Sequence, residues 1–208
     1  MGQASLFGAV EDTPEVLIRE DGDVRLYREW WPQAQRAELF SRLRAELAWQ
    51  QTWIRMHGKP VAVPRLDVWY GDGGRHYQYS GAAFSPRPWT PTLKRIKEAL
   101  EDREGLTFNS VLANLYRDGN DGVAWHSDDE PELGNRPLIA SISLGAERRF
   151  ALRHKQRGLP SVRLDLPDGS LLVMAGDTQH FWEHELAKTS RPVGPRINLT
   201  FRTVFDSL

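Results

Sequence analysis

From Gly105 onward the chain is a series of short alternating or apolar stretches cut by Gly, Pro, Asp and Asn. They are Ser110 to Arg117, Leu138 to Leu144, Arg149 to Arg153, Val162 to Leu166, Ser170 to Ala175 and Arg196 to Val204. A strand with one buried face alternates every second residue, so segments of this length and spacing predict an all-β sandwich or barrel. Two helical segments come earlier. Pro32 to Ala48 repeats Leu39, Phe40, Leu43 and Leu47 at three-and-four spacing, with Arg36, Arg42 and Arg44 off that stripe. In the second, Thr90 is placed to cap, Pro91 takes the first helical position, Leu93, Ile96 and Leu100 form the stripe, and Gly105 follows the end. Between the helices a hairpin is predicted, pairing Asp67 to Tyr70 with Arg75 to Ser80 across Gly71-Asp72-Gly73-Gly74. The expected fold class is α+β, mainly β: a double-stranded β-helix, or jelly roll, core braced by N-terminal helices.

The 208 residues suit one domain, and 40% hydrophobic with 26% charged side chains can bury a core, which excludes a disordered chain. No apolar run approaches the roughly 20 residues of a membrane helix. The absence of cysteine excludes disulfides, thiolate zinc sites and cysteine nucleophiles, and permits residence in a reducing cytoplasm. Met1 to Thr13 lacks a basic-then-apolar leader, so no export is expected. Residues 1–12 read as a flexible tail and 13–208 as a single domain, its β core spanning 106–208.

Chemistry concentrates after the strand Val111 to Tyr116, in Ala124-Trp125-His126-Ser127-Asp128-Asp129-Glu130. On an extended segment residues two apart share a side, so His126 and Asp128 can present an imidazole and a carboxylate to one ion. The plainer reading of such a pair is a solvated acidic turn. A third ligand is available from Thr178-Gln179-His180-Phe181-Trp182-Glu183-His184, where His180 and His184 share a face if the segment is extended, and spacing does not choose between them. Two histidines and a carboxylate with open positions form the facial triad of non-haem Fe(II) oxygenases, and a zinc site could use the same ligands. The last strand alternates strictly: Ile197, Leu199 and Phe201 face one way, and Arg196, Asn198, Thr200 and Arg202 the other. A solvated face is the plain reading. The sharper one is a barrel interior where two arginines clamp a small dicarboxylate, with Asn114 and Tyr116 adding neutral hydrogen bonds. Triad and clamp together point to an Fe(II) enzyme using 2-oxoglutarate.

Several motifs in order, from about Val63 to Phe205, resemble the AlkB-type Fe(II)/2-oxoglutarate-dependent dioxygenases, in particular the homologues that repair alkylated nucleic acid. They are Pro64-Arg65, Tyr77-Gln78-Tyr79-Ser80-Gly81, Asn114-Leu115-Tyr116, His126-Ser127-Asp128-Asp129-Glu130, Arg153-His154-Lys155, Trp182-Glu183-His184 and Arg196 to Arg202. The resemblance implies His126, Asp128 and His184 as iron ligands, and Asn114, Tyr116, Arg196, Asn198, Thr200 and Arg202 as 2-oxoglutarate contacts. On the substrate side it implies Tyr77 and Tyr79 gripping a flipped base, Asp129 touching it from the opposite side and Glu130 as a second polar contact, with Arg65 and Arg153 in the flanking motifs. Residues 13–105 would then hold the helices and a nucleotide-recognition hairpin. Cross-strand packing is the plain role for the two tyrosines. The implied reaction is oxidative demethylation of 1-methyladenine and 3-methylcytosine in DNA, consuming O2 and 2-oxoglutarate and releasing formaldehyde, succinate and CO2.

Charge supports a nucleic-acid partner in part. Trp53 to Lys97 holds eight basic residues against Asp67 and Asp72, and Ala146 to Arg163 holds six against Glu147, while Asp118 to Glu132 carries six acids and no Lys or Arg. The net charge of −1 implies a moderate, salt-sensitive grip. Where some homologues that act on duplex DNA carry an aromatic wedge, this chain has Met56-His57-Gly58-Lys59, so either His57 or Met56 fills the gap or single strands are preferred. The expected setting is intracellular, cytoplasmic or, in a eukaryote, nuclear, as a monomer without membrane contact. The competing readings are a same-fold dioxygenase acting on RNA, protein or a small molecule, and a non-catalytic jelly-roll module binding metal or nucleic acid.

Overall fold

The computed structural model describes residues 13–205 except 57, 74–76, 80–81, 85 and 106, and only the backbone of 77–79, 82–84, 103 and 104. The expected tail, residues 1–12, lies outside that range, as does His57. In chain order the elements are β1 (Glu15–Ile18), β2 (Asp23–Tyr27), α1 (Gln33–Glu46), β3 (Trp53–Met56), β4 (Lys59–Ala62), β5 (Leu66–Gly71), β6 (Tyr77–Tyr79), β7 (Ala82–Phe84) and α2 (Pro91–Glu104). There follow β8 (Ser110–Tyr116), β9 (Val123–His126), β10 (Ile139–Gly145), β11 (Arg148–His154), β12 (Val162–Leu166), β13 (Leu171–Ala175), the single turn α3 (Thr178–Phe181), β14 (Trp182–Leu186) and β15 (Arg196–Arg202).

Strands combine into a seven-stranded sheet, β1-β2-β13-β10-β15-β8-β5, and a four-stranded one, β12-β11-β14-β9, all neighbours antiparallel. Alternation along each strand of the larger sheet feeds two separate cores. Ile197, Leu199 and Phe201 point outward into a cluster with Leu43, Leu93 and Ile96 of the two helices. Leu172 and Met174 point inward and meet Phe150, Leu152 and Leu164 of the smaller sheet. This is the jelly roll with helical braces. At about 25 cal/mol per Å² of apolar surface buried, both layers are needed to offset the entropy of ordering so many short elements.

Helix α2 begins and ends as its sequence predicts. Thr90 accepts from Leu93 N at 3.2 Å, Pro91 opens the helix, and Gly105 closes it at φ 64°, a left-handed conformation that glycine adopts without steric cost. In α1 one expectation fails. Arg36 is buried rather than off the apolar stripe, because it lies three residues before Leu39, and its Nε donates to the Trp31 carbonyl at 2.7 Å.

The predicted hairpin is also corrected. β5 pairs with β8, not with β6, which pairs with β7 in a separate two-stranded ribbon. The reason is burial: Val68 and Tyr70 of β5 belong to the helix-facing core, which requires β5 at the edge of the large sheet. β1, β2 and β5 all join that sheet, so the β core draws on residues before 106 as well.

Candidate functional site

The inner, polar face of the large sheet and the end of the smaller sheet enclose a pocket of about 180 Å³. Register builds its wall in rungs. Arg196 is opposite Tyr116, Asn198 opposite Asn114, Thr200 opposite Leu112 and Arg202 opposite Ser110. The strict alternation of β15 thus does line an interior.

At one end, β14 and β9 pair with His184 opposite His126, ring centroids 4.3 Å apart. Asp128 follows β9 directly, and one ligand-type atom each from His126, Asp128 and His184 lie within 4.8 Å of one another. The loop is held from both sides: Ser127 Oγ donates to Trp182 O at 3.0 Å, and Asp128 N donates to Gln179 Oε1 at 3.0 Å. Gln179 is buried in α3, so that turn serves as a brace for the carboxylate loop. His126 Nδ1 lies 2.8 Å from the Ala124 carbonyl, an acceptor, so Nδ1 carries the N–H there, and Nε2 faces Asp128 Oδ1, 3.8 Å away. Phe150 stacks on His184 at 5.4 Å and fixes its ring.

The alternative histidine is excluded by local structure. The segment 178–184 is not extended throughout; His180 sits in the α3 turn, exposed, and its ring packs edge-on against Phe181.

Electrostatics prepare these groups for a cation. Burial, with His126 adding to it, holds His184 neutral, its pKa pushed from 6.5 down to about 3. For Asp128 burial works upward, but Arg202, His184 and His126 outweigh it and bring the carboxyl down to about 2. Arg202 Nη2 donates to Asp128 Oδ2 at 2.6 Å. Two imidazoles beside one carboxylate, with the remaining directions open to the pocket, suit a divalent Fe- or Zn-type ion.

The same burial makes a stability prediction for the metal-free protein. Between pH 6.5 and about 3 the unfolded chain protonates His184 while the native state does not, so protons favour unfolding and stability falls as the pH drops through that window. Asp128 adds to the loss only below its ordinary value of 3.8. Urea unfolding at pH 7 and pH 5 should differ by roughly 1–2 kcal/mol from His184 alone. His184→Gln should flatten that slope, and an unchanged slope would refute the assignment.

At the other end Arg196 is fully enclosed. Its Nη2 donates to Ser143 Oγ at 2.8 Å and its guanidinium carbon lies 5.3 Å from the Tyr116 ring centre, but its buried Nε has no partner. Burial pushes its pKa down to about 10, still cationic at neutral pH. Asn198 Nδ2 donates to Ser141 Oγ at 2.8 Å, and its Oδ1 accepts from Thr200 Oγ1 at 2.9 Å. Arg65 is buried in this wall and donates to Asn114 Oδ1 at 2.8 Å. A buried cation with an unused donor, ringed by neutral hydrogen-bonding groups, is what a small carboxylate requires.

The remaining expected residues divide. Glu130 lines the pocket with a buried, unpartnered Oε2. Asp129 is exposed and pairs with Lys155 at 3.2 Å. Arg153 is not brought to the pocket: Leu152 takes the inward position of β11, so Arg153 lies on the outer face, ion-paired with Glu183 and 4.2 Å over the Trp125 ring. Tyr77 and Tyr79 stand opposite Phe84 and Ala82 in the β6–β7 ribbon, and their side chains lie outside the described residues. Sequence reasoning missed Ser141 and Ser143, although their alternation with Ile142 was visible, and missed Gln179 and Asp67, which carry no local signal.

The sequence pattern of the 2OG-Fe(II) oxygenase superfamily matches residues 23–202. Human "Alpha-ketoglutarate-dependent dioxygenase alkB homolog 3" is 42% identical over 176 residues, 80% of this chain and 61% of that protein. This chain therefore spans about three fifths of the length of that relative. Human "DNA oxidative demethylase ALKBH2" is 40% identical over 197 residues, 90% of this chain and 76% of that protein. The solved structure of OsALKBH1 superposes with a TM-score of 0.62 at 16% identity, covering 86% of this chain and 97% of that one, a likeness of fold alone.

Proposed function

We propose, on the premise that this chain belongs to the 2OG-Fe(II) oxygenase superfamily and within it to the AlkB type, that it oxidatively demethylates N-alkylated bases in DNA, 1-methyladenine and 3-methylcytosine among them. The observation that carries the reading is the pairing of a two-histidine, one-carboxylate cluster with an unsatisfied buried guanidinium in one pocket.

His126, Asp128 and His184 would hold Fe(II), and Arg196 would take the distal carboxylate of 2-oxoglutarate, with Tyr116, Asn114, Asn198 and Thr200 around its length. Bound together with O2, iron and 2-oxoglutarate supply a hydroxylation of the N-methyl group, with succinate and CO2 formed from the co-substrate and formaldehyde lost from the resulting hemiaminal. The protein contributes placement and protection. Arg202 keeps Asp128 anionic and oriented, burial keeps His184 unprotonated at its ligating nitrogen, and the inter-sheet apolar cluster closes the floor against water.

On the substrate side, the β6–β7 ribbon would bring Tyr77 and Tyr79 to a flipped base, with Glu130 and Asp129 across from it. The β3–β4 ribbon, with Trp53 63% and Met56 50% exposed beside Arg55 and Lys59, supports docking of a nucleic-acid strand. Arg153 on the outer face would serve a phosphate rather than the base. Among the described residues no helix is long and apolar enough to cross a membrane. A DNA substrate would place the protein inside the cell, in the nucleus of a eukaryote.

The test is incubation with Fe(II), ascorbate, 2-oxoglutarate and an oligonucleotide carrying one 1-methyladenine. Loss of one methyl mass with matching succinate and formaldehyde is the expected result. Succinate without demethylation would move the substrate to RNA, protein or a small molecule, and no succinate would leave a binding module.

A further inference from the structure

The connection from β9 to β10 carries Asp128, Asp129 and Glu130 and lies outside both sheets. Its metal end is fixed by Arg202, Gln179 and the Trp182 carbonyl. Beyond Asp129 it folds into a single 3-10 turn, Pro131–Leu133, in which Leu133 N donates to Glu130 O at 2.9 Å and Gly134 N to Pro131 O at 3.1 Å. Both bonds are internal to the turn, so they shape it without fixing where it stands. Glu130 and Leu133 nevertheless line the pocket, Leu133 buried and Glu130 with its unpartnered Oε2. Among the described residues, the hydrogen bond that ties 130–134 to another part of the chain comes from beyond the last strand: Phe205 N donates to Glu132 O at 2.7 Å. The Phe205 ring covers Gly134, whose φ of 79° favours glycine and where an added Cβ would meet the ring at 3.1 Å.

The segment that supplies this bond is itself clamped. β15 ends at Arg202, and Thr203 Oγ1 then donates to Thr107 O at 2.8 Å. The Asn109 side chain takes both backbone groups of Val204, accepting from its N and donating to its O, each at 2.8 Å. A primary amide offers an acceptor and a donor in one plane, so Asn109 stands in for a strand neighbour just where the β8–β15 ladder stops. Val204, held this way, is buried and lines the pocket. A continuous set of bonds thus runs from Asn109 through Val204 and Phe205 to Glu132. Arg202 does not depend on it, because its backbone is paired with Ser110 inside the sheet. Loosening residues 203–205 should therefore free the 130–134 loop and leave Arg202 on Asp128.

We propose that residues 203–205 form a strap that positions the 130–134 loop on the substrate side of the pocket, with Asn109 and the Phe205 N–H as its fixed points. Both are positioning residues that act through Glu130. The proposal rests on the demethylase reading, in which a loop left loose must be ordered when substrate binds, at a cost in affinity. Its test uses Phe205→Pro, which removes the N–H, Phe205→Leu, which keeps it, and Asn109→Ala, which releases Val204. Phe205 is 55% exposed, so its variants leave the core untouched. In the metal-free protein, F205P and N109A should speed hydrogen exchange at the Leu133 and Gly134 amides by about tenfold or more, with the β15 amides unchanged. With Fe(II) and 2-oxoglutarate, both should raise KM for a 1-methyladenine oligonucleotide by about tenfold while KM for 2-oxoglutarate stays within about twofold. F205L should stay within about threefold of wild type in both readouts. Unchanged exchange in F205P, a rise in the two KM values together, or a loss in F205L as large as in F205P would overturn the strap. A wild-type protein that leaves the methyl group in place, while F205P still speeds exchange in the loop, would instead overturn the demethylase reading beneath it.

Discussion

Replacing His126 with alanine should cut coupled succinate and formaldehyde release by on the order of a thousandfold or more, with metal content falling in parallel. The fold should survive, which makes this the cleanest of the three ligand substitutions. The His126 side chain is 35% exposed and its recorded hydrogen bond is the one to Ala124 O, so its removal should change metal-free unfolding by about 1 kcal/mol or less. His184→Ala would open a cavity between Phe150 and His126, and Asp128→Ala would remove the carboxylate paired with the largely enclosed Arg202 guanidinium, so both mix stability with function. Turnover within tenfold of wild type, or undiminished metal, would remove His126 from the set.

Arg196→Ala should raise the 2-oxoglutarate dissociation constant by roughly 100- to 1000-fold, the combined scale of two charge-assisted hydrogen bonds. The metal-free protein should be affected far less. Its guanidinium has no acid partner among the described side chains, Ser143 and Tyr116 are its neighbours, and burial already pushes its pKa down to about 10. Removing a costly buried charge offsets the cavity left behind, so unfolding should shift by within about 2 kcal/mol. The decisive readout is ligand-induced stabilisation: saturating 2-oxoglutarate with Zn(II) should raise the melting temperature of wild type and leave the variant unmoved. Arg196→Lys, which keeps charge but loses the planar fork, should fall between them. Equal thermal shifts in wild type and Arg196→Ala would place the co-substrate elsewhere.

Much of this site was legible along the chain because it depends on local periodicity. His126 and Asp128 are two apart at the end of β9, and Arg196, Asn198, Thr200 and Arg202 are two apart along β15, so their common faces follow from strand geometry. Helix α2 was readable for the same reason, since Thr90, Pro91 and Gly105 act on the backbone within a few residues. The pairing of β5 was not. Its glycine-rich neighbour announces a turn, but the strand's partner lies more than forty residues on, and that choice is made by where Val68 and Tyr70 are buried. Arg153 shows the reverse case, a basic residue in a promising motif that alternation from buried Leu152 sends to the outer face.

By itself, then, the sequence determined the jelly roll, the pairing of His126 with Asp128, to which resemblance but not spacing added His184, and the polar column of β15. Only the tertiary structure decided that His184 stands opposite His126 while His180 sits in the α3 turn, that Arg202 holds Asp128, that Ser141 and Ser143 back the polar column of β15, and that Asp67 enters the pocket. The division has one physical cause. Dihedral preference and side-chain alternation act within a turn or a strand, whereas the choice of neighbours across strands follows from which apolar faces can be buried together, a property of the whole core.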